Sequence, residues 1–377
     1  MTSYLALDTE TTTINKGDPY HPDNKLVSIG LYDGNSYVHY YKDFPIEEIQ
    51  QKLTGKPLVL FNAKFDITWL RRIGIDISNF VIRDAQLAEF ILTNQQQAYP
   101  SLDNCSIKYF NETKIDNIKL NYWDKGIDTW FIPFPELDEY LKQDCVLTYK
   151  LYQVQEQLLK EQNKFNLFKL QCADLKELQD YEYNGIYYNK EESIKRGNDL
   201  DSEIEKLTRL IKSYTNCPSF NCNSGDHLSC LLYGGTISHT DRVAVGVYKS
   251  GQKIGQPRYK LFETEYKQER LVEPLPKSEL KKEGYWSTDE DTLKSLRVSG
   301  PVKKLVEAIL ELSKLEKLKG TYFLGIPALM DKKGWKNNLI HGQFNQVVAR
   351  TGRTSSKEPN LQNFDPAVKQ LCESRYE

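Results

Sequence analysis

The first residues with chemical potential are two carboxylates at the end of an apolar run. The stretch "YLALDTETT" spans Tyr4 to Thr12 and carries Asp8 and Glu10 two positions apart. In an extended strand, side chains two apart share a face, so both carboxylates would project together from the strand end. Two like charges held that close need a cation. On its own, the pair also fits a solvated strand end before a Thr-rich turn. Only further residues elsewhere in the sequence can distinguish a cation site from such a strand end.

Two later stretches place more carboxylates at element boundaries. In "LVLFNAKFDITWL", Asp66 follows a predicted strand and lies near the start of an amphipathic helix, where the helix dipole and free N–H groups favour a carboxylate. In "YLKQDCVLTY", Tyr140 and Asp144 lie one turn apart on one face of a helix. Each feature alone also fits an ordinary helix start or helix surface.

Taken together and in this order, the three stretches resemble a known set of motifs. D-x-E, N-x-x-x-D and Y-x-x-x-D are similar to the three motifs of DEDD-type 3′–5′ exonucleases, and the tyrosine marks the Y-type subfamily. The intervening "RDAQLAEFILTNQQQAYPSLDN" resembles the connecting helix and loop of the proofreading domain in family A DNA polymerases. The resemblance implies an α/β, ribonuclease H-like domain with a central mixed sheet, which agrees with short apolar runs that alternate with helical patterns.

The resemblance also implies a role for each side chain. Phosphodiester hydrolysis needs an attacking hydroxide and a stabilised leaving oxygen, and two divalent ions about 4 Å apart can serve both. Hard oxygen ligands suit Mg²⁺ or Mn²⁺. By resemblance, Asp8 bridges both ions, and Glu10 and Asp144 hold the ion that activates water. Asp66 acts through the waters of the other ion, and Tyr140 orients the attacking water.

The second half of the chain resembles later landmarks of the same polymerases. These are "LKELQDYEYNGIYYN", "FNCNSGDHLSCLLYGG", "WSTDEDTLKSL", "LSKLEKLKGTYF" and "IHGQFNQVVARTGRTSSKEPNLQN". They imply a thumb region followed by the first strands of a palm. Helical spacing makes this region mostly α, and Gly, Lys and Pro punctuate residues 236–300, which indicates a β insertion. We therefore expect an exonuclease domain at 1–163, a thumb region at 164–335 with an insertion at about 236–300, and palm strands at 336–377.

Several residues of this sequence match DNA-contacting positions of the family. Ile14 matches an apolar wedge that separates terminal bases, although core packing is an equal alternative, and Asn62 belongs to the second exonuclease motif. Arg353, Asn360 and Gln362 match positions that touch the minor groove and backbone of primer–template, where acceptors occur in every base pair. Lysines of the predicted thumb helix, Lys314 and Lys317, face either phosphates or solvent.

The resemblance stops before the polymerase metal ligands and the nucleotide-binding lysine. We read the chain as the N-terminal part of a phage-like family A polymerase, a 3′–5′ exonuclease that binds DNA 3′ ends and primer–template. Polymerase activity would then need a separate C-terminal polypeptide with the rest of the palm and the fingers. The alternatives are a DNA clamp or scaffold for such a subunit, and an RNA-trimming exonuclease.

Composition limits where and how the protein acts. Its 50 basic and 52 acidic residues give a net charge of −2, so any polyanion must be met by local patches. The seven cysteines predict free thiols in a reducing compartment. With no leader or membrane-length apolar run in the sequence, we expect a cytoplasmic protein, in a bacterial host if phage-encoded. A weaker alternative for one cluster is a zinc site formed by Cys217, Cys222, His227 and Cys230.

Overall fold

A computed structural model describes residues 4–114, 117–249 and 251–374 of the chain. The chain forms two compact units. Unit 1 contains Met1–Lys190 and Ile326–Glu377, and unit 2 contains Glu191–Gly325. These units are defined by internal contacts, whereas the expected boundaries at 163 and 335 follow family landmarks and stay a prediction.

Unit 1 is built on a five-stranded mixed sheet, as expected. The strand order is β3-β2-β1-β4-β5, with β1–β2 and β2–β3 antiparallel and β1–β4 and β4–β5 parallel. The apolar residues of these short runs fill the core, which makes the sheet a rigid platform for whatever projects from its strand ends. The strands are β1 Leu5–Thr11, β2 Leu26–Tyr32, β3 Tyr37–Tyr41, β4 Leu58–Leu60 and β5 Ile82–Asp84.

Helices cover this sheet. The longest, α6, starts at a proline-containing first turn and buries Leu137, Leu141, Leu147 and Leu151, whose spacing in the sequence is helical. The helix that follows it, α7, also packs into this core through Phe168 and Leu175. The helices are α1 Ile46–Leu53, α2 Ala63–Arg72, α3 Ala85–Leu92, α4 Leu102–Phe110, α5 Asn117–Asn121, α6 Phe134–Glu161 and α7 Phe165–Asn184.

Unit 2 is mostly α-helical with one long β excursion. Its core consists of apolar residues from four helices and the segments between them. Strand β6 Ile186–Tyr188 still belongs to unit 1, and α13 Gly325–Lys333 begins the return to it. Between them lie α8 Lys190–Asp199, α9 Asp201–Lys212, α10 Gly225–Tyr233, β7 Gly235–Val247, β8 Pro257–Gln268, α11 Glu290–Ser295 and α12 Gly300–Lys317. Strands β7 and β8 pair with each other as an antiparallel hairpin, which confirms the predicted β insertion.

The chain then returns to unit 1 with short strands. They are β9 Leu339–Ile340, β10 Gln343–Asn345, β11 Ser355–Lys357 and β12 Cys372–Glu373, with α14 Pro366–Lys369 before the last. One sheet has the order β12-β6-β9, and β10 pairs with β11. Val347 from this segment joins the core beneath the five-stranded sheet. Residues 346–354, which lie within the range expected to form palm strands, form turns and irregular backbone.

No helix in the described parts of the chain combines the length and the hydropathy needed to span a bilayer.

Candidate active site

The carboxylates of Asp8, Glu10 and Asp144 converge at one place on the sheet. Asp8 and Glu10 share a face of β1, and Asp144 lies on α6, which crosses that face. One carboxylate oxygen from each lies within 4.8 Å of the others. The pairing of β1 with β2 shifts register between Glu10 and Thr11, an irregularity of the kind that re-aims side chains beside active sites.

A glycine lets α6 approach this closely. Gly30 on β2 pairs with Asp8 on β1. A methyl group added at Gly30 would lie 2.8 Å from both Cys145 Sγ and Leu141 Cγ on α6. The absence of a side chain at this position therefore sets the distance between the helix that carries Asp144 and the strand that carries Asp8.

Asp66 joins the site through the strand residue between the two motif carboxylates. It is buried, with 2% of its surface exposed, near the start of α2. Thr9 Oγ1 donates a hydrogen bond of 2.6 Å to Asp66 Oδ1. Burial raises the pKa of Asp66 well above its ordinary value, and the neighbouring charge of Asp8 raises it further. Asp66 thus interacts with Asp8 among the three converging carboxylates but is not a member of the 4.8 Å group.

A lysine that sequence reasoning did not identify lies within the cluster. Lys114 Nζ lies 2.5 Å from Asp144 Oδ2 and donates a 3.2 Å hydrogen bond to the hydroxyl oxygen of Tyr140. Its side chain is only 17% exposed. Tyr140 packs edge-on against Trp123, with ring centroids 5.7 Å apart. The sequence offered no signal for Lys114, because it lies in a loop without periodic pattern.

The pKa values of the cluster reflect carboxylates crowded in a dry setting. Burial raises the pKa of Asp8 to about 7, and the charge of Asp144 adds to this while Lys114 opposes it. Burial and the charge of Asp8 also raise the pKa of Glu10. For Asp144, burial raises the pKa and Lys114 lowers it. Groups shifted this way release protons when a cation arrives, which is the expected behaviour of a metal site.

The donor set fits hard divalent cations. Asp144 Oδ1 is buried and, among the described residues, has no hydrogen-bond partner, although its other oxygen is paired with Lys114. An unpartnered buried carboxylate oxygen is costly unless something else satisfies it. Together with Asp8 and Glu10, it offers the oxygen ligands that Mg²⁺ or Mn²⁺ prefers.

The predicted DNA-contact residues occupy three other places. Ile14 is 41% exposed, which argues against the core-packing alternative. Asn62 has left-handed backbone, φ 67°, at the residue before α2. Asn360 and Gln362 lie in one turn, where the Asn360 side chain accepts from the Gln362 backbone N–H and the Gln362 amide donates to Thr354. Arg353 is exposed next to Thr354 in the chain, so these three form one polar turn.

The zinc alternative finds no support in the described residues. His227 Nδ1 accepts a hydrogen bond from the backbone of Asn221, and Cys230 Sγ contacts the carbonyl oxygen of Thr236. The described residues contain one group that meets the distance requirement for a metal cluster, namely the carboxylate group above. The seven cysteines are all free thiols, as predicted.

Comparison with family models identifies both halves of this arrangement. Residues 1–162 match the model described as 3′-5′ exonuclease, and residues 259–375 match the model described as DNA polymerase family A. The chain belongs to DNA polymerase family A. It contains the 3′–5′ exonuclease domain and the start of the polymerase domain of that family, which confirms the resemblance seen in the sequence.

Relatives in this family support the same assignment over most of the chain. DNA polymerase I of Synechocystis is 29% identical over 82% of the chain and 27% of its own length. DNA polymerase I of Borreliella burgdorferi is 25% identical over 96% of the chain and 35% of its own length. The chain thus spans about a third or less of these relatives.

A solved structure shares the fold. The POL domain of Pol1 from M. smegmatis, in complex with DNA primer-template and dNTP, superposes with a TM-score of 0.68. The match covers 98% of the chain and 54% of that structure at 18% identity, so it speaks for the fold alone.

Proposed function

We propose that this chain is a two-metal 3′–5′ exonuclease that releases nucleotides from DNA 3′ ends, as a proofreading activity requires. The convergence of one oxygen each from Asp8, Glu10 and Asp144 within 4.8 Å carries this proposal. Asp66 also supports it, because it accepts a hydrogen bond from Thr9, between Asp8 and Glu10, and its pKa is raised by the charge of Asp8. When bound, two Mg²⁺ or Mn²⁺ ions would supply an activated hydroxide and stabilise the leaving oxygen.

Residues of the chain supply the metal-binding, water-orienting and charge-compensating roles. Asp8, Glu10 and Asp144 would hold the ions, and Asp66, which accepts a hydrogen bond from Thr9, would act through the waters of one ion. Burial and the charge of Asp144 raise the pKa of Tyr140, so its hydroxyl keeps its proton and can orient the attacking water. Lys114 compensates the carboxylate charge until ions and substrate arrive.

DNA would contact the protein at the predicted DNA-contact residues. An exposed Ile14 can wedge against a terminal base, and Asn62 starts the helix that bears Asp66. The polar turn of Arg353, Asn360 and Gln362 presents guanidinium and amide groups, which suit minor-groove acceptors without reading sequence. Lys314, with an exposed side chain, and Lys317 of α12 could face phosphates or solvent.

A hydrolysis assay tests the enzyme assignment. The purified chain is incubated with Mg²⁺ and a 5′-labelled single strand, with Asp8→Ala as the matched site variant and Asp180→Ala, an exposed carboxylate elsewhere in unit 1, as the control. We expect stepwise shortening by wild type and Asp180→Ala, and a loss of at least about a thousandfold in Asp8→Ala. Binding without degradation would favour the clamp, and preference for an RNA strand would favour the RNA-trimming alternative.

We further propose that a polypeptide with the rest of the palm and the fingers pairs with this chain. The sheet β12-β6-β9 has β9 and β12 at its edges, and edge strands are templates for additional pairing. The test mixes the chain with a C-terminal fragment of a related polymerase and measures dNTP incorporation. Incorporation by the mixture should fall in Arg353→Ala; incorporation insensitive to that change would contradict the proposal.

A further inference from the structure

The β7–β8 hairpin of unit 2 has no role in the site described above. Its strands are 13 and 12 residues long and pair only with each other. Every described residue from 240 to 265 is exposed to solvent. An isolated two-stranded ribbon is at best marginally stable in water, so one of this length is expected to have a partner.

The charge of the distal half of this ribbon is one-sided. We call residues 242–262 the ribbon tip. The sequence of the tip contains five cationic residues and no aspartate or glutamate, although the chain as a whole has a net charge of −2. The five are Arg242, Lys249, Lys253, Arg258 and Lys260. A cluster of positive charge on a protein whose net charge is close to zero indicates a binding site for a polyanion.

These cations are spread over both faces and the end of the ribbon. Arg242 pairs with Leu261, and its guanidinium lies 3.9 Å from the ring centroid of Tyr259 on the same face. Lys260 pairs with Val243 and lies over Phe262, 5.2 Å from its ring, on the opposite face. The register shifts between Ala244 and Gly246, a bulge that twists the ribbon.

The remaining surface of the tip is apolar and aromatic. Exposed side chains include Val243, Val245, Val247, Tyr248, Ile254, Tyr259, Leu261 and Phe262. Basic residues interleaved with aromatic ones suit nucleic acid, because cations meet phosphates while rings lie against sugars and bases. The same cations discourage pairing of the ribbon with a second copy of itself.

We infer that the ribbon tip is a DNA-binding surface whose five cations contact the phosphates of a duplex. A two-stranded ribbon fits the width of a major groove, and cations on both faces then meet the phosphate backbones on both sides of that groove. The choice of DNA as the polyanion rests on the proposed function, whereas the site is separate from the carboxylates. It would hold primer–template while the 3′ end is processed.

The test replaces all five cations with glutamine, as Arg242→Gln, Lys249→Gln, Lys253→Gln, Arg258→Gln and Lys260→Gln together. Fluorescence anisotropy follows binding of the full chain to a labelled blunt duplex of about two helical turns, in EDTA, from about 50 to 200 mM salt. Each phosphate contact contributes about 0.9 to the slope of log affinity against log salt. We expect the slope to become shallower by up to about 4.5 and the affinity at the lowest salt to fall at least about tenfold.

A matched control removes the same charge elsewhere in unit 2. Five cationic side chains on helices each lie beside a glutamate three or four residues away, so their positive charge is already largely compensated. They are Lys195, Lys206, Arg209, Lys294 and Lys303. Their glutamine variant should keep wild-type affinity and slope, and circular dichroism should show both variants folded.

The outcomes separate this inference from the exonuclease proposal. Unchanged duplex binding in the ribbon variant, or an equal loss in the control variant, would overturn it. A loss confined to single-stranded DNA would overturn the duplex assignment. Since binding is measured in EDTA without hydrolysis, a chain that binds through the ribbon but never degrades DNA would sink only the exonuclease proposal.

Discussion

Lys114 changes how the carboxylate cluster must behave, because its ammonium group already neutralises part of the Asp144 charge that would attract a metal ion. Strand periodicity predicts that Asp8 and Glu10 share a face, and an oxygen of each lies within 4.8 Å of an oxygen of Asp144. The grouping of Asp144 with them followed from the family resemblance and not from spacing. Lys114 could not be found from spacing either. Its position depends on a loop path, and sequence periodicity carries no information about loops.

Replacement of Lys114 with methionine should strengthen metal binding and weaken the metal-free protein. The ammonium group neutralises part of the Asp144 charge and repels a cation beside it, so its loss should tighten Mn²⁺ binding by about tenfold, as measured by calorimetry. In EDTA, the carboxylates would lose their compensating charge, and the melting temperature should fall. Lys150→Met, which removes an exposed lysine paired with Glu112, is the control. Weaker Mn²⁺ binding in Lys114→Met would mean that Lys114 supports the ions and does not repel them.

The raised pKa of Asp8 predicts a pH dependence of stability whose sign can be derived. The folded carboxyl holds its proton up to about pH 7, whereas the unfolded one releases it near its ordinary value of 3.8. Between these values the folded state binds more protons, so the free energy of unfolding in EDTA should fall as pH rises and level off above about 7. Glu10, Asp66 and Asp144 shift in the same direction.

Calorimetric melting across this pH range tests the sign. Saturating Mg²⁺ should stabilise the protein increasingly from pH 6 to 8, because ions bind the deprotonated carboxylates. Asp8→Asn, which cannot titrate, should show a flatter profile in EDTA and higher stability than wild type at the alkaline end. A wild-type profile that rises with pH in EDTA would contradict the derivation.

At the scale of elements, the crossing of α6 over β1 and β2 decides whether the site assembles. The helix itself could be predicted from its leucine spacing, and the strands from their apolar runs. The closeness of the crossing could not, because it depends on a tertiary contact between Gly30 and residues more than a hundred positions later. A glycine inside a strand only suggests that some backbone or side chain approaches closely.

Gly30→Ala should damage the site from a distance. The added methyl group would meet Cys145 Sγ and Leu141 Cγ at 2.8 Å, so α6 must shift away from the sheet. Overpacking of this kind costs about 1–3 kcal/mol of stability, and the displacement of Asp144 from Asp8 should weaken Mn²⁺ binding. Urea unfolding and Mn²⁺ titration measure the two effects. Gly320→Ala, where a methyl group meets nothing within 4 Å, should leave both unchanged, and equal behaviour of the two variants would refute the argument.

At the scale of the molecule, the chain leaves unit 1, builds unit 2 and returns. The break in the helical pattern at about 236–300 predicted the β excursion. The order of exonuclease, thumb and palm regions, which follows from family landmarks, stays a prediction. Neither the pattern nor the landmarks predicted that residues 326–374 would pack into the core of the exonuclease region, because the contacts join residues that are far apart in sequence. Glu182, near the end of α7, contacts both Lys64 on α2 and the returning segment at Phe344 within unit 1.

Glu182→Ala should therefore destabilise unit 1 more than its place outside the motifs suggests. Its Oε1 atom lies 2.5 Å from Lys64 Nζ on α2, two residues before Asp66, and accepts a 2.6 Å hydrogen bond from the Phe344 backbone on β10. The Glu182 side chain is only 7% exposed. Its removal leaves a buried ammonium group without its partner carboxylate, which costs about 3–5 kcal/mol.

Urea unfolding compares Glu182→Ala with Asp180→Ala, which removes a half-exposed carboxylate from its pair with Arg71 and should cost less than about 1 kcal/mol. Hydrogen exchange should also quicken at residues 343–345 in Glu182→Ala, because β10 loses the acceptor that holds Phe344. Glu182→Gln keeps an oxygen that can accept from the Phe344 N–H. Its free energy of unfolding should therefore lie between those of Glu182→Ala and Asp180→Ala. If Glu182→Ala proved no less stable than Asp180→Ala, the return of the chain would be held by Val347 and its apolar neighbours and not by this buried pair.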